Sequence, residues 1–207
     1  EMRSGYDLRT ARRSMNLLTI EWQNRGINMW TIEEGFINLV QGTAAYDLPA
    51  DTIDLLEQVI RTNQGNSSTQ SDLTISRISM PTYASIPNKL TEGRPIQINV
   101  ERLRDNPVVN IWPVPDQGTA LAPFYVLRYW RMRRIQNAGA GIQTPDVSFR
   151  FLPCLVAGLA YYIASKDPDL MPRIPMLQAE YERQFELAAG EDREKATIRL
   201  VPRLSNY

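Results

Sequence analysis

The residues best equipped for chemistry stand together in YVLRYWRMRRI, residues 125–135, where four arginines are interleaved with three aromatic rings. Guanidinium groups beside aromatic faces can pair with phosphates and stack on bases, so this strand is a candidate nucleic-acid surface. If residues 124–134 alternate as a strand, Arg128 shares one face with Val126, Trp130 and Met132. Tyr125, Leu127, Tyr129, Arg131 and Arg133 then share the other. The competing expectation is a strand that packs its aromatics inward while Arg128, Arg131, Arg133 and Arg134 meet acids across an interface. Overall charge favours the second, because 23 basic side chains are balanced by 23 acidic ones. Sequence-independent binding of nucleic acid draws on a basic excess that this chain lacks.

Catalytic chemistry has few residues to work with. The 207 residues include no histidine, which removes the commonest general base and the commonest metal ligand. A Ser–His–Asp arrangement is therefore excluded, and no G-x-S-x-G elbow occurs. The single cysteine, Cys154, lies in the apolar run FLPCLVAGLAYYI, where a thiol behaves as a small buried hydrophobe. It also leaves no intrachain disulfide and no thiolate zinc site. The glycines Gly139 and Gly141 lack the third glycine and the strand-to-helix setting of a phosphate loop. Acid pairs, Glu33 with Glu34 or Glu101 with Asp105, are the remaining enzymatic option, and each sits in a polar, solvated stretch. No D-x-D-x-D-G loop is present. The expectation is a non-enzyme with no cofactor and no bound metal.

Three stretches with helical periodicity frame the chain. In residues 6–25, Leu8, Ala11, Met15, Leu18 and Trp22 form one stripe, and Gly26 follows where a left-handed helix end would sit. Residues 153–166 predict a second helix, with Asp146 or Ser148 as cap, Pro153 in its first turn, and Leu152, Leu155, Val156, Leu159, Tyr162 and Ile163 as its apolar face. Pro172 and Pro175 open a third, which buries Leu177, Tyr181, Phe185 and Ala188 and ends at Gly190. Between the first two, Pro and Gly become frequent and β-rich runs take over. Strands are predicted at 36–40, 45–48, 53–61, 73–78, 96–102, 108–112 and 124–132, with residues 63–72 an exposed loop tip. The predicted fold is α+β. Residues 1–35 and 136–190 form an antiparallel helical bundle from both chain ends, residues 36–135 an inserted antiparallel β domain, and residues 191–207 an extended tail.

No apolar run approaches the roughly 20 residues that span a bilayer, so no membrane partner is expected. The opening EMRSGYDLRT lacks the apolar core of a secretory signal. The tail has too little apolar surface to fold alone, yet Ile198, Leu200, Val201, Leu204 and Tyr207 suit it to dock on a neighbour. Thr197, Ile198, Arg199, Leu200 and Val201 have the composition to add a strand to an exposed edge. Pro202 would end that pairing, and Arg199 and Arg203 would meet acids on the partner.

The segments LLTIEWQNRGINMWTIEEG, YDLPADTIDLLEQVIR, GRPIQINVER, VNIWPVPD and FRFLPCLVAGLAYYIA, ending in DREKATIRLVPR, resemble a family of podovirus head–tail adaptors. These proteins are also called head-to-tail connectors or tail tubular proteins of the gatekeeper type. The resemblance covers nearly the whole chain. It implies a structural virion protein at the head–tail junction, made in the host cytoplasm and assembled into a homo-oligomeric ring, normally a dodecamer. Such a ring sits between the portal protein and the tail nozzle or tail tube protein. Double-stranded DNA passes through its lumen without sequence specificity. In similar adaptors the bundle builds the ring and the C-terminal segment clasps the portal, while shorter members lack the β insertion. Two other classes remain open at this point: a nucleic-acid-binding module using residues 124–134, and a carboxylate-based virion-associated hydrolase.

Overall fold

The computed structural model describes residues 5–136 and 144–192. In chain order these form α1 (Gly5–Asn24), β1 (Ile32–Asn38), β2 (Ala45–Asp47), β3 (Thr52–Thr62), β4 (Ser71–Thr74), β5 (Ser76–Arg77), α2 (Met80–Ala84), β6 (Gln97–Glu101), β7 (Val108–Trp112), β8 (Tyr125–Arg133), α3 (Leu152–Ala164) and α4 (Ile174–Glu191). The architecture is mixed α+β. The described residues divide into two compact units, one from those up to Trp30 with those from Ile135 onward, the other from Thr31–Arg134.

In the helical unit α3 lies against both α1 and α4. Leu18 and Trp22 of α1 are fully buried and Ala11 nearly so, while Leu8 at the other end of the predicted stripe is exposed. Burying a Leu-sized side chain contributes about 1.5–3 kcal/mol, so Leu18 and Trp22 anchor the helix. α1 ends as predicted. Gly26 takes φ +88°, its N–H donates to Gln23 O (3.0 Å), and Ile27 N–H reaches back to Trp22 O (3.0 Å). That is the paired bonding of a Schellman ending, with Ile27 tucked into the core.

The inner side of α3 differs from the predicted face. Leu155 of that face is buried and so, as expected, is Cys154, and Gly158 joins them, whereas Leu152 and Val156 are exposed. Weighting by side-chain size had favoured Leu and Val, but close approach of the neighbouring helices selects the small residues. Neither Asp146 nor Ser148 caps α3: Asp146 instead accepts from Trp30 Nε1 and Gln136 N–H, and α3 is entered through a 3-10 turn at Phe149–Phe151. α4 buries Tyr181 and Ala188 and continues through Gly190, ending at Asp192 rather than at the glycine. Asp192 also accepts from Asn28 N–H (3.2 Å), tying the end of α4 to the turn after α1.

The β unit has two sheets, ordered β1-β8-β3-β4 and β2-β7-β6-β5. All pairings are antiparallel except β5 with β6, which run parallel. One core joins Leu55, Ile60, Leu127 and Tyr129 of the first sheet to Ile98, Val109 and Ile111 of the second. Two register shifts in β3, between Thr52 and Asp54 and between Leu55 and Glu57, each insert an extra residue. Such bulges break the two-residue period, which is how Leu55 and Ile60, five apart, both face inward. The predicted strand 73–78 is two strands in different sheets, since the chain crosses between sheets at buried Ile75. α2, capped by Ser79 and carrying Pro81 in its first turn, was absent from the predicted elements. Residues 63–70 form the exposed loop tip, whereas Ser71 and Asp72, also predicted in it, begin β4 and pair with Thr62 and Arg61.

Candidate functional site

β8 is an inner strand of its sheet, paired with β1 on one side and β3 on the other. Its register sets Arg131 beside Glu33 and Leu55, and Arg128 beside Phe36 and Val59. The alternation follows the predicted faces: Tyr125, Leu127 and Tyr129 enter the core, and Arg131, on the same side, is only 9% exposed. A charge so enclosed needs full pairing. Arg131 Nη1 donates to Asp51 Oδ1 (2.5 Å) and Thr52 Oγ1 (2.9 Å), and Nη2 to Glu33 Oε2 (3.0 Å). Arg133 Nε donates to Glu33 Oε1 (2.5 Å), so one carboxylate bridges two guanidinium groups. Arg128 pairs with Glu34 on the opposite face of the sheet. Arg134 is exposed and its backbone N–H donates to Asp51 O (2.8 Å).

Electrostatics agree with this geometry. The hydrogen bond from Arg131 holds the Asp51 carboxyl below its ordinary value. Burial pushes the neighbouring Tyr129 hydroxyl up. The acids that pair these arginines, Glu33, Glu34 and Asp51, belong to the same unit of the same chain. Sequence alternation exposed the arginines but not their partners, because the partner strands lie 79–100 residues away along the chain. Asp54 is engaged in the same way, bonding Arg77 (2.8 Å) and Arg102 (2.6 Å), and thereby links the two sheets. Three arginines matched by three carboxylates leave little net positive charge for phosphate binding.

Of the acids considered for catalysis, Asp105 is exposed and the other three have partners. Glu33 and Glu34 are ion-paired, and Glu101 accepts from Asn110 Nδ2 (2.7 Å). In the helical unit Glu21 accepts from Tyr162 Oη (2.7 Å), Tyr181 Oη (3.1 Å) and Arg25 Nη2 (2.8 Å). Trp22 Nε1 donates to Tyr181 Oη (3.1 Å), and Arg25 forks onto Glu182 while lying over the Phe185 ring. This network joins α1, α3 and α4 with each member occupied. Burial pushes the Cys154 thiol up to about 12, which removes it as a nucleophile near neutral pH. Among the described residues no group of three or more His, Cys, Asp or Glu side chains could hold a metal ion. No helix among them is long and apolar enough to cross a membrane. The predicted docking residues 197–207 lie outside the described residues.

The family model described as SU10 adaptor protein matches residues 4–203. The chain belongs to that family. Membership is consistent with a phage head–tail adaptor and marks the protein as a structural component of the virion. No curated protein sequence matches the chain.

Proposed function

We propose that this adaptor is a non-enzymatic, ring-forming subunit that links the portal to the tail nozzle and encloses part of the DNA channel. The observation that carries the reading is the extent of the family match, residues 4–203, which takes in both structural units and most of the C-terminal segment. The helices from the two chain ends build the ring, and the β unit is an insertion between them. The internally paired arginines support a structural role for β8 and weigh against the nucleic-acid module. The tail, through Ile198, Leu200, Val201, Leu204 and Tyr207, docks on the portal, with Arg199 and Arg203 fixing its orientation.

Native mass measurement of the purified protein, alone and mixed with its portal, tests this. The expected species is a dodecameric ring that binds the portal. A chain that stays monomeric and ignores the portal overturns the reading. Removing residues 197–207 should leave the circular dichroism spectrum unchanged and abolish recruitment to portal-bearing heads. Recruitment at wild-type affinity would move the portal contact off the tail.

A further inference from the structure

α3 contains no charged residue, and its inner side is closed by the contact of Gly158 with Leu18 and Tyr181. Its opposite side carries Leu152, Val156 and Ala160 at four-residue steps, with Val156 69% exposed. Beside this stripe α4 turns Met176 and Leu187 outward, and Glu180 and Gln184 complete the wall of an open groove. A helix apolar on all sides belongs in a buried setting, and an apolar surface of this extent marks a contact site.

The complementary surface is on the same chain. On α1, Arg13, Leu17 and Ile20 follow at steps of four and three, all exposed, with Arg13 and Leu17 bordering an open pocket beside Ile163 and Lys166. Charge also matches in sign, since α1 holds three arginines and one aspartate in its first nine residues while α4 carries four glutamates and one arginine, with Glu180 and Glu182 paired within the molecule to Arg183 and Arg25. The stripe and the groove share no lining residue, and Leu18 meets Gly158 between their helices. They therefore cannot close on one molecule, and in an assembly they make a contact of unlike faces that repeats from copy to copy.

We propose that the Arg13–Leu17–Ile20 stripe of one copy seats in the α3–α4 groove of a second copy, an interface that rests on the ring reading above. Leu17 and Ile20 cover Leu152 and Val156, and Arg13 reaches Glu180, with α1 of one copy running antiparallel to α3 of the next.

Full-length Leu17→Cys and Val156→Cys variants test the contact by mild oxidation. The mixture should give a disulfide-linked dimer and neither variant alone should. Cross-linking of either variant to itself overturns the unlike-face arrangement. Val156→Asp, at an exposed position, should keep the wild-type circular dichroism spectrum and raise the concentration for half-assembly by about tenfold or more. An unchanged assembly curve overturns the proposal. A ring that forms without the mixed cross-link overturns this surface alone, whereas a wild-type chain that never forms a ring, even with the portal, overturns the surface and the ring reading together.

Discussion

The side chain of Leu18 occupies the space that a Cβ on Gly158 would need. A methyl built on Gly158 would lie 2.8 Å from both Leu18 methyl carbons and 2.9 Å from Tyr181 Cε2. Alanine raises helix propensity by about 1 kcal/mol, but overpacking a filled core costs about 1–3 kcal/mol. Gly158→Ala should therefore be neutral to destabilising, and Gly158→Val more severe. Leu18→Ala should cost less in the Gly158→Ala background than in the wild type, the coupling expected of two residues in contact. Urea unfolding midpoints with unchanged m-values check this.

The same contact shows where the sequence was readable. Helix α1 and strand β7 declare their extent through periodicity and punctuation, and Gly26 marks its ending because only a left-handed residue closes that turn. On α3 the burial of Cys154 and Leu155 was legible, but that of Gly158 was not, because packing there rewards small size while hydrophobicity ranks the exposed Leu152 and Val156 above it. β3 hid its inward residues behind two bulges, and the single run 73–78 hid a change of sheet at Ile75. The alternation of β8 revealed which face Arg131 takes, but its carboxylate partners depend on pairing with distant strands. Long-range register leaves no local signal.

Arg131 should prove to be a folding residue of the β unit. Arg131→Ala removes the donor to Asp51 and Thr52 and leaves Glu33 with Arg133 alone. Because both acids are partly solvated, the loss should be about 1–2 kcal/mol, below the 3–5 typical of a fully buried pair. Asp51 titrates below its ordinary 3.8 in the folded chain. Its contribution is therefore present above that value and is lost as pH falls through the folded pKa. Arg131→Ala should flatten the acid limb of the stability curve below about pH 4. A limb as steep as in the wild type would remove Asp51 as its cause.

Cys154 should be silent to thiol reagents in the folded protein. Its thiol is 1% exposed and shifted to about 12, so thiolate is scarce and access is closed. Labelling at pH 8 should be complete in denaturant and should proceed under native conditions only at the rate of opening. Rapid native labelling would show that α3 is not packed as described.

Glu21 provides the most sensitive test of the helical unit, because its carboxylate holds hydroxyls from both other helices. Glu21→Ala leaves Tyr162 and Tyr181 without their acceptor and should destabilise by about 1–3 kcal/mol, whereas Glu21→Gln keeps an acceptor oxygen and should lose less. A second readout separates this role from simple packing. Burial first, and the Glu21 hydrogen bond second, push the Tyr162 hydroxyl from its ordinary 10 up to about 12. A hydroxyl whose folded pKa is raised contributes stability that is intact below 10 and declines as pH climbs toward 12. Without Glu21, Tyr162 should titrate at lower pH yet still above 10, since burial remains, and the alkaline loss of stability should shrink accordingly. Tyrosinate absorbance and unfolding midpoints from pH 9 to 12 follow both quantities. Unmoved titration together with wild-type stability in Glu21→Ala would show that the three helices are held by apolar packing alone.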